Sequence, residues 1–337
     1  MKITVLVAVY NTSAYLPTCL ESLISQTHKD LQIICIDDAS TDNSLQILRE
    51  YASKDDRILV LAQSVNKGQA EARNLGLQHA EGDYVTMLDS DDWFAPDAIE
   101  KACRVASLDE CNDCIVFDVV HHDENTGREW GYGYRSNGSE WSGEEAFRLS
   151  LDWSIHGLYM VRRSIHLAYP YDTTCRLYSD DNTTRLHYLH SRRVLRCEGL
   201  YYYRQHSASM THSITPLRFL YLDANYSMKR TLISEGISDI LIDKYEEHRW
   251  LNIVGLYVFY RINKDSFTPE EQQNIISKLR YFHSTIETHR LPYSLKLKFG
   301  YIPSPSYPTL FEWQNCLYIL ARKVLYKLLS KPLPAIA

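Results

Sequence analysis

The 337 residues are 45% apolar and 23% charged, enough for one large domain with an appendage or for two domains, and no low-complexity run marks a disordered chain. A net charge of −6 leaves no basic excess for nucleic acid. Eight cysteines are scattered without the dense spacing of a secreted disulfide framework, which fits a reducing cytoplasm; Cys111 and Cys114 form a lone C-x-x-C and read as free thiols.

The opening MKITVLVAVYN has an apolar run too short for a signal segment and reads as a first strand over 3–9. Further runs of strand length lie at 32–37, 57–62, 83–88 and 114–119, with helical periods between the first four. The first helix is expected to begin at the capping pair Thr12 and Ser13 and to repeat Leu16, Leu20, Leu23 and Ile24. A second opens at Ser40 and carries Leu45, Leu48 and Tyr51 on one face. A third runs from Gln69 to Ala80 and stops at Gly82. This alternation predicts an α/β fold with a mostly parallel, buried sheet flanked by helices. Ligands in such sheets gather at the carboxyl ends of the strands, where Tyr10, Asp37, Asp38 and Asp89 stand.

Short helices and a strand pair fill 142–212, with 197–204 as a returning strand. Long helical segments follow at 216–236, 240–262, 269–289 and 310–330. The expected division is therefore 1–214 and a smaller helical region, 215–337.

The fourth strand ends on Asp89, Asp91 and Asp92, interrupted only by Ser90. Two unit charges ~4 Å apart at an effective dielectric of ~20 repel by about 4 kcal/mol, so the cluster calls for a cation. Mg²⁺ or Mn²⁺, bound through one or two carboxylates and the phosphates of a substrate, suits such a strand end. For an Asp-x-Asp alone a solvated acidic turn is the plain alternative; the flanking residues shift the balance.

Three segments together, VLVAVYN, IICIDDASTDNS and NKGQAEARNLGLQHAEGDYVTMLDSDD, resemble the N-terminal half of the family 2 glycosyltransferases, which have the GT-A fold. The resemblance covers about residues 1–215. Ala8 stands where the family usually has proline and Ala39 where it usually has glycine. The resemblance implies an inverting, metal-dependent enzyme of bacterial surface-polysaccharide type. It would move a hexose from a nucleoside-diphosphate sugar, UDP first, to a hydroxyl of a glycan or lipid-linked glycan.

It also implies roles. Val9, Tyr10 and Asn11 would lie against the base, and Asp38, with Asp37 second, would bond base or ribose. Gly68 would let the backbone approach, Arg73 would reach phosphate or base edges, and Asn66 and Ser90 complete the nucleotide side. Asp89 would serve the ribose side and the metal, and Asp91 would be the direct metal ligand. Arg204 and His206, from YYYRQHSASMT, would touch diphosphate or metal. In RLYSDDNTTRLHYLH the family's Glu-Asp pair becomes Ser179, Asp180, Asp181, with Asp181 on the family aspartate as the catalytic base and Asp180 the alternative. Trp153 and His156 resemble the acceptor-side segment, although core packing suits Trp153 better.

A non-catalytic nucleotide-sugar or glycan binding module is the runner-up, supported by Ser179. A phosphatase-like hydrolase needs a hydroxyl residue where Trp93 stands, and no G-x-G-x-x-G follows a predicted strand. The last helix is amphipathic and basic: Leu310, Trp313, Leu317, Leu320, Val324 and Leu328 alternate with Arg322, Lys323, Lys327 and Lys331. It is too interrupted to span a bilayer and would either lie on a membrane through 310–331 or dock on its own core. The expected station is the cytoplasm, at the inner membrane face.

Overall fold

The computed structural model describes residues 1–134, 138–174, 177–206, 214–304 and 306–328, with side chains as far as Arg322. Two compact units divide the chain, Met1–His212 and Ser213–Ala337.

In the first unit the elements run β1 (Ile3–Val9), α1 (Leu16–Ile24), β2 (Leu31–Asp37), α2 (Ser44–Ala52), β3 (Ile58–Ala62), α3 (Gln69–Leu77), β4 (Tyr84–Met87), β5 (Trp93–Phe94) and α4 (Ala98–Ala106). There follow β6 (Asn112–Asp123), β7 (Glu129–Gly131), β8 (Glu140–Ser142), α5 (Gly143–Leu151), β9 (Tyr159–Arg162), α6 (Arg163–Ala168), α7 (Ser179–Leu189) and β10 (Arg193–Gln205). The sheet order is β3-β2-β1-β4-β9-β6-β10-β5, with β7 on β6 and β8 on β10. Strands β1 to β4 pair in parallel. The other half is mixed, because β9 inserts antiparallel between β4 and β6 while β10 runs parallel to β6.

The first strand is apolar without alternation because both of its faces are covered. Val5, Val7 and Val9 join the core formed with Leu16, Leu20 and Ile99. Leu6 joins the opposite core with Ile34, Ile36, Ala72 and Leu77. Each fully buried aliphatic side chain contributes about 1.5–3 kcal/mol.

Helix starts differ from expectation for a common reason. The Thr12 hydroxyl donates to Ser90 Oγ and the Ser13 N–H to Asp42 Oδ2, and α1 begins only at Leu16, after Tyr15, without a side-chain cap. Ser40 accepts from the Asn11 N–H, and the Thr41 N–H donates to Asn11 Oδ1, so the acidic turn braces the end of β1 and α2 waits until Ser44. Helix α3 ends at Leu77. Gly82 is needed for close passage over β1, since a Cβ there would lie 2.5 Å from Thr4 N.

The second unit is helical: α8 (Tyr221–Ser234), α9 (Asp239–Ile262), α10 (Pro269–Ser284), α11 (Tyr293–Lys296) and α12 (Pro308–Leu328). Pro269 occupies the first turn of α10, where Thr268 and Glu271 form a reciprocal capping box. Trp250, Tyr257, Leu279 and Phe311 fill its core. Inside, the fully buried Glu246 accepts from Lys229 Nζ at 3.0 Å, Arg249 Nη1 at 2.6 Å and the Glu287 N–H at 2.7 Å. No helix among the described residues is long and apolar enough to cross a membrane.

Candidate active site

The carboxyl ends of β1 and β2 are joined by the Asp38 N–H, which donates to the Val9 carbonyl at 2.8 Å. Tyr10 follows directly and is 48% exposed. Asn11 adopts φ +54°, a left-handed conformation that Asn tolerates better than most residues. Asp38 itself is buried, and its carboxylate accepts from the Lys67 N–H at 2.8 Å, the Gly68 N–H at 2.7 Å and Gln63 Nε2 at 3.2 Å. Asn66 Nδ2 donates to the Asp38 carbonyl. Gly68 takes φ +93°, which lets consecutive amides turn toward one carboxylate.

Several of the residues expected on the nucleotide side are engaged within the fold. Asp38 has its oxygens engaged in shaping the 66–68 loop. Val9 is fully buried in the core with its carbonyl bonded to Asp38. Ser90 is buried, and its hydroxyl accepts from Thr12 Oγ1 at 3.0 Å. Arg73 is 2% exposed and directs Nη2 to Asp89 Oδ1 at 2.5 Å, with its guanidinium 5.3 Å from the Tyr171 ring. Asp37 is buried too, accepting from the Ser40 N–H with one oxygen and holding the other unpaired.

Strand β10 closes the acidic end of β4. Tyr201 Oη donates to Asp92 Oδ2 at 2.8 Å and accepts from the Asp89 N–H at 3.2 Å. The Arg204 N–H donates to Asp92 Oδ1, and Arg204 Nε donates to the Asp91 carbonyl, each at 2.8 Å. His206 Nε2 lies 3.0 Å from Asp91 Oδ2. The Arg204 guanidinium sits 4.6 Å from the Trp93 ring and 5.0 Å from Tyr15, and Tyr15 stacks on His206 at 5.0 Å. Tyr15, Trp93 and Tyr201 were not legible as site residues. Only Trp93, directly after the acids, offered a signal.

The charges are crowded. Burial lifts the Asp89 carboxyl, Arg73 pulls it back, and Asp91 and Asp180 push it up again, leaving it above the usual carboxylate range. Burial, then the charges of Asp89 and Asp91, hold Asp92 well above that range. Asp89 is paired with Arg73, and among the described residues no three His, Cys, Asp or Glu side chains converge on one point.

Helix α7 starts after Tyr178, whose φ is +66°, and Asp180 and Asp181 occupy its first turn. Asp180 borders a small internal cavity with Thr86, Met87, His166, Tyr171 and Thr184 and contributes to the field at Arg73 and Asp89. Asp181 Oδ2 lies 3.8 Å from the buried Arg185, which covers Trp153 at 5.4 Å. His156 is interior: its Nδ1 accepts from the Leu158 N–H, its Nε2 bonds Tyr134 Oη at 2.6 Å, and burial pushes its pKa down to about 3.

Residues 4–168 match the model of glycosyl transferase family 2. The match takes in most of the first unit. The putative glycosyltransferase EpsH of Bacillus subtilis (strain 168) is 42% identical over 126 residues, 37% of this chain and 36% of that protein. Glycosyltransferase GlyG of Streptococcus pneumoniae serotype 4 is 29% identical over 221 residues, 62% of this chain and 72% of that protein. The match thus spans about a third of the length of EpsH. The chain also superposes on crystal structures of S. aureus TarS 1–349. With the complex with UDP-GlcNAc the TM-score is 0.70 at 19% identity, covering 94% of this chain and 88% of that one. This likeness establishes the GT-A fold followed by a helical region.

Proposed function

We propose that this chain is a metal-dependent, inverting glycosyltransferase that moves a hexose from a nucleoside-diphosphate sugar to a hydroxyl of a glycan or lipid-linked glycan. UDP is the preferred nucleotide, a choice supported by TarS 1–349, which has been solved with UDP and with UDP-GlcNAc. A donor made in the cytosol and a lipid-linked acceptor put the reaction in the cytoplasm, at the inner membrane face.

The observation that carries the reading is the meeting of Asp91 and His206, 3.0 Å apart, at the carboxyl end of β4. An oxygen and an imidazole nitrogen there, beside carboxyls held up by burial and then by mutual repulsion, fit Mn²⁺ or Mg²⁺ completed by diphosphate oxygens. The ion, when bound, offsets negative charge on the departing diphosphate. Tyr10 stacks on the base, the 66–68 loop shaped by Asp38 and Asn66 borders the nucleoside, and Asp37 and Asn11 hold the turns that carry these groups. Arg204, clamped between Tyr15 and Trp93, offers its outer nitrogens to the diphosphate. Asp181 takes the proton from the acceptor hydroxyl, and Asp180 steadies Arg73 and Asp89.

The test is release of UDP from UDP-GlcNAc and other UDP-sugars with Mn²⁺, with Mg²⁺ and with EDTA. Metal-dependent release that is lost in Asp91→Ala is expected. Equal release in EDTA sinks the metal role, and UDP binding without turnover over a broad acceptor panel leaves a binding module.

A further inference from the structure

The last helix docks on the second unit with the face opposite to its apolar stripe. Phe311, Asn315 and Ile319 point inward, Phe311 packing 5.0 Å from both Trp250 and Tyr257. Gln314 accepts from the Gly300 N–H and donates to the Ile302 carbonyl, and Asn315 donates to the Gly300 carbonyl, so the 300–302 segment is fastened beside α12. The stripe itself faces solvent: Leu310 is 53% exposed, Trp313 63%, Leu317 37% and Leu320 52%. On and after α11, Tyr293 is 80% exposed, Leu297 78% and Phe299 49%. Four large apolar side chains exposed on one face of α12, with three more exposed around α11, take no part in the core.

Charge says what covers them. Between residues 293 and 331 stand six Lys and Arg against one acid, Glu312, in a chain whose net charge is −6. Glu312, the one acid of this segment, is buried and paired with Arg280 at 2.6 Å. Lys298 is exposed beside Leu297 and Phe299. Basic residues bordering Trp, Tyr and Leu on a helix that is amphipathic but too interrupted to span a bilayer suit the headgroup boundary of an anionic leaflet.

We infer that the outer face of 293–320 is a docking surface for an anionic phospholipid membrane, with Trp313, Leu317 and Leu297 inserted and the flanking lysines on the headgroups. The inference stands apart from the transfer chemistry. It is tested by co-sedimentation of the full chain with phosphatidylcholine vesicles, with and without phosphatidylglycerol, together with gel filtration.

Binding that needs phosphatidylglycerol and weakens with salt is expected. Each cation is worth about five-fold in affinity, so Lys296→Glu with Lys298→Glu should weaken binding at least about 25-fold. Trp313→Glu with Leu317→Glu should weaken it at least about ten-fold, with circular dichroism unchanged, since both residues are exposed. No binding to anionic vesicles, or binding indifferent to both pairs, overturns the proposal. So does a dimer in gel filtration that the Trp313→Glu, Leu317→Glu pair dissociates while vesicles bind nothing, because the stripe would then belong to a second copy.

Discussion

Ala39 adopts φ +60° at the turn between β2 and the acidic loop, a conformation in which an L side chain meets its own backbone. Ala39→Gly should raise stability by about 0.5–1 kcal/mol in urea unfolding, the strain relieved being offset in part by the greater freedom of glycine when unfolded. An unchanged or lower midpoint would mean that the turn holds Ala39 without strain. At the other side of the site, Asp181 and Asp180 share the first turn of α7 and differ in neighbours. A general base contributes on the order of 10²–10⁴-fold, so Asp181→Asn should lower kcat at least ~10²-fold with UDP affinity nearly unchanged. The larger loss of kcat appearing in Asp180→Asn instead would move the base by one residue.

At the scale of elements, β9 and α7 are joined through buried histidines. His187 bonds Tyr159 Oη and the Tyr169 carbonyl, each at 2.8 Å, and burial lowers its pKa to about 4, as burial lowers His156 to about 3. Both folded values lie below the unfolded value of ~6.5, so the unfolded chain binds more protons on acidification. Stability is therefore complete above that value and falls as pH drops toward 4, by up to about 1.4 kcal/mol per pH unit for each histidine. Unfolding midpoints measured from pH 7 to 5 should decline, and a flat profile would show that these rings are protonated in the native state.

In the whole molecule the two units are stabilised differently. The first depends on a sheet covered on both faces, the second on helices around a buried ion cluster. Lys229→Met leaves Glu246 and Glu287 without their shared cation and should cost the second unit about 3 kcal/mol. Differential scanning calorimetry would register this as a lower transition for that unit; an unshifted trace would mean that Arg249, paired with Glu246, and Arg290, whose Nε lies 2.7 Å from Glu287 Oε2, neutralise the cluster unaided.

What the amino-acid sequence determined alone was local. The strand-end acids, the apolar run of β1 and the periods of α3 and α9 were legible because hydrophobic patterning and charge crowding act over a few residues. The resemblance to the family was legible from three such segments. Helix starts were not, because Thr12, Ser13 and Ser40 bond across to neighbouring loops and α1 and α2 begin beyond them. Nor was the division of labour among the acids, since Arg73 claims Asp89, Tyr201 claims Asp92, and only Asp91 remains for His206, some 115 residues away along the chain. The outward stripe of α12 was visible as a stripe. Which face met the core depended on Phe311 finding Trp250 and Tyr257, a packing choice made between distant helices.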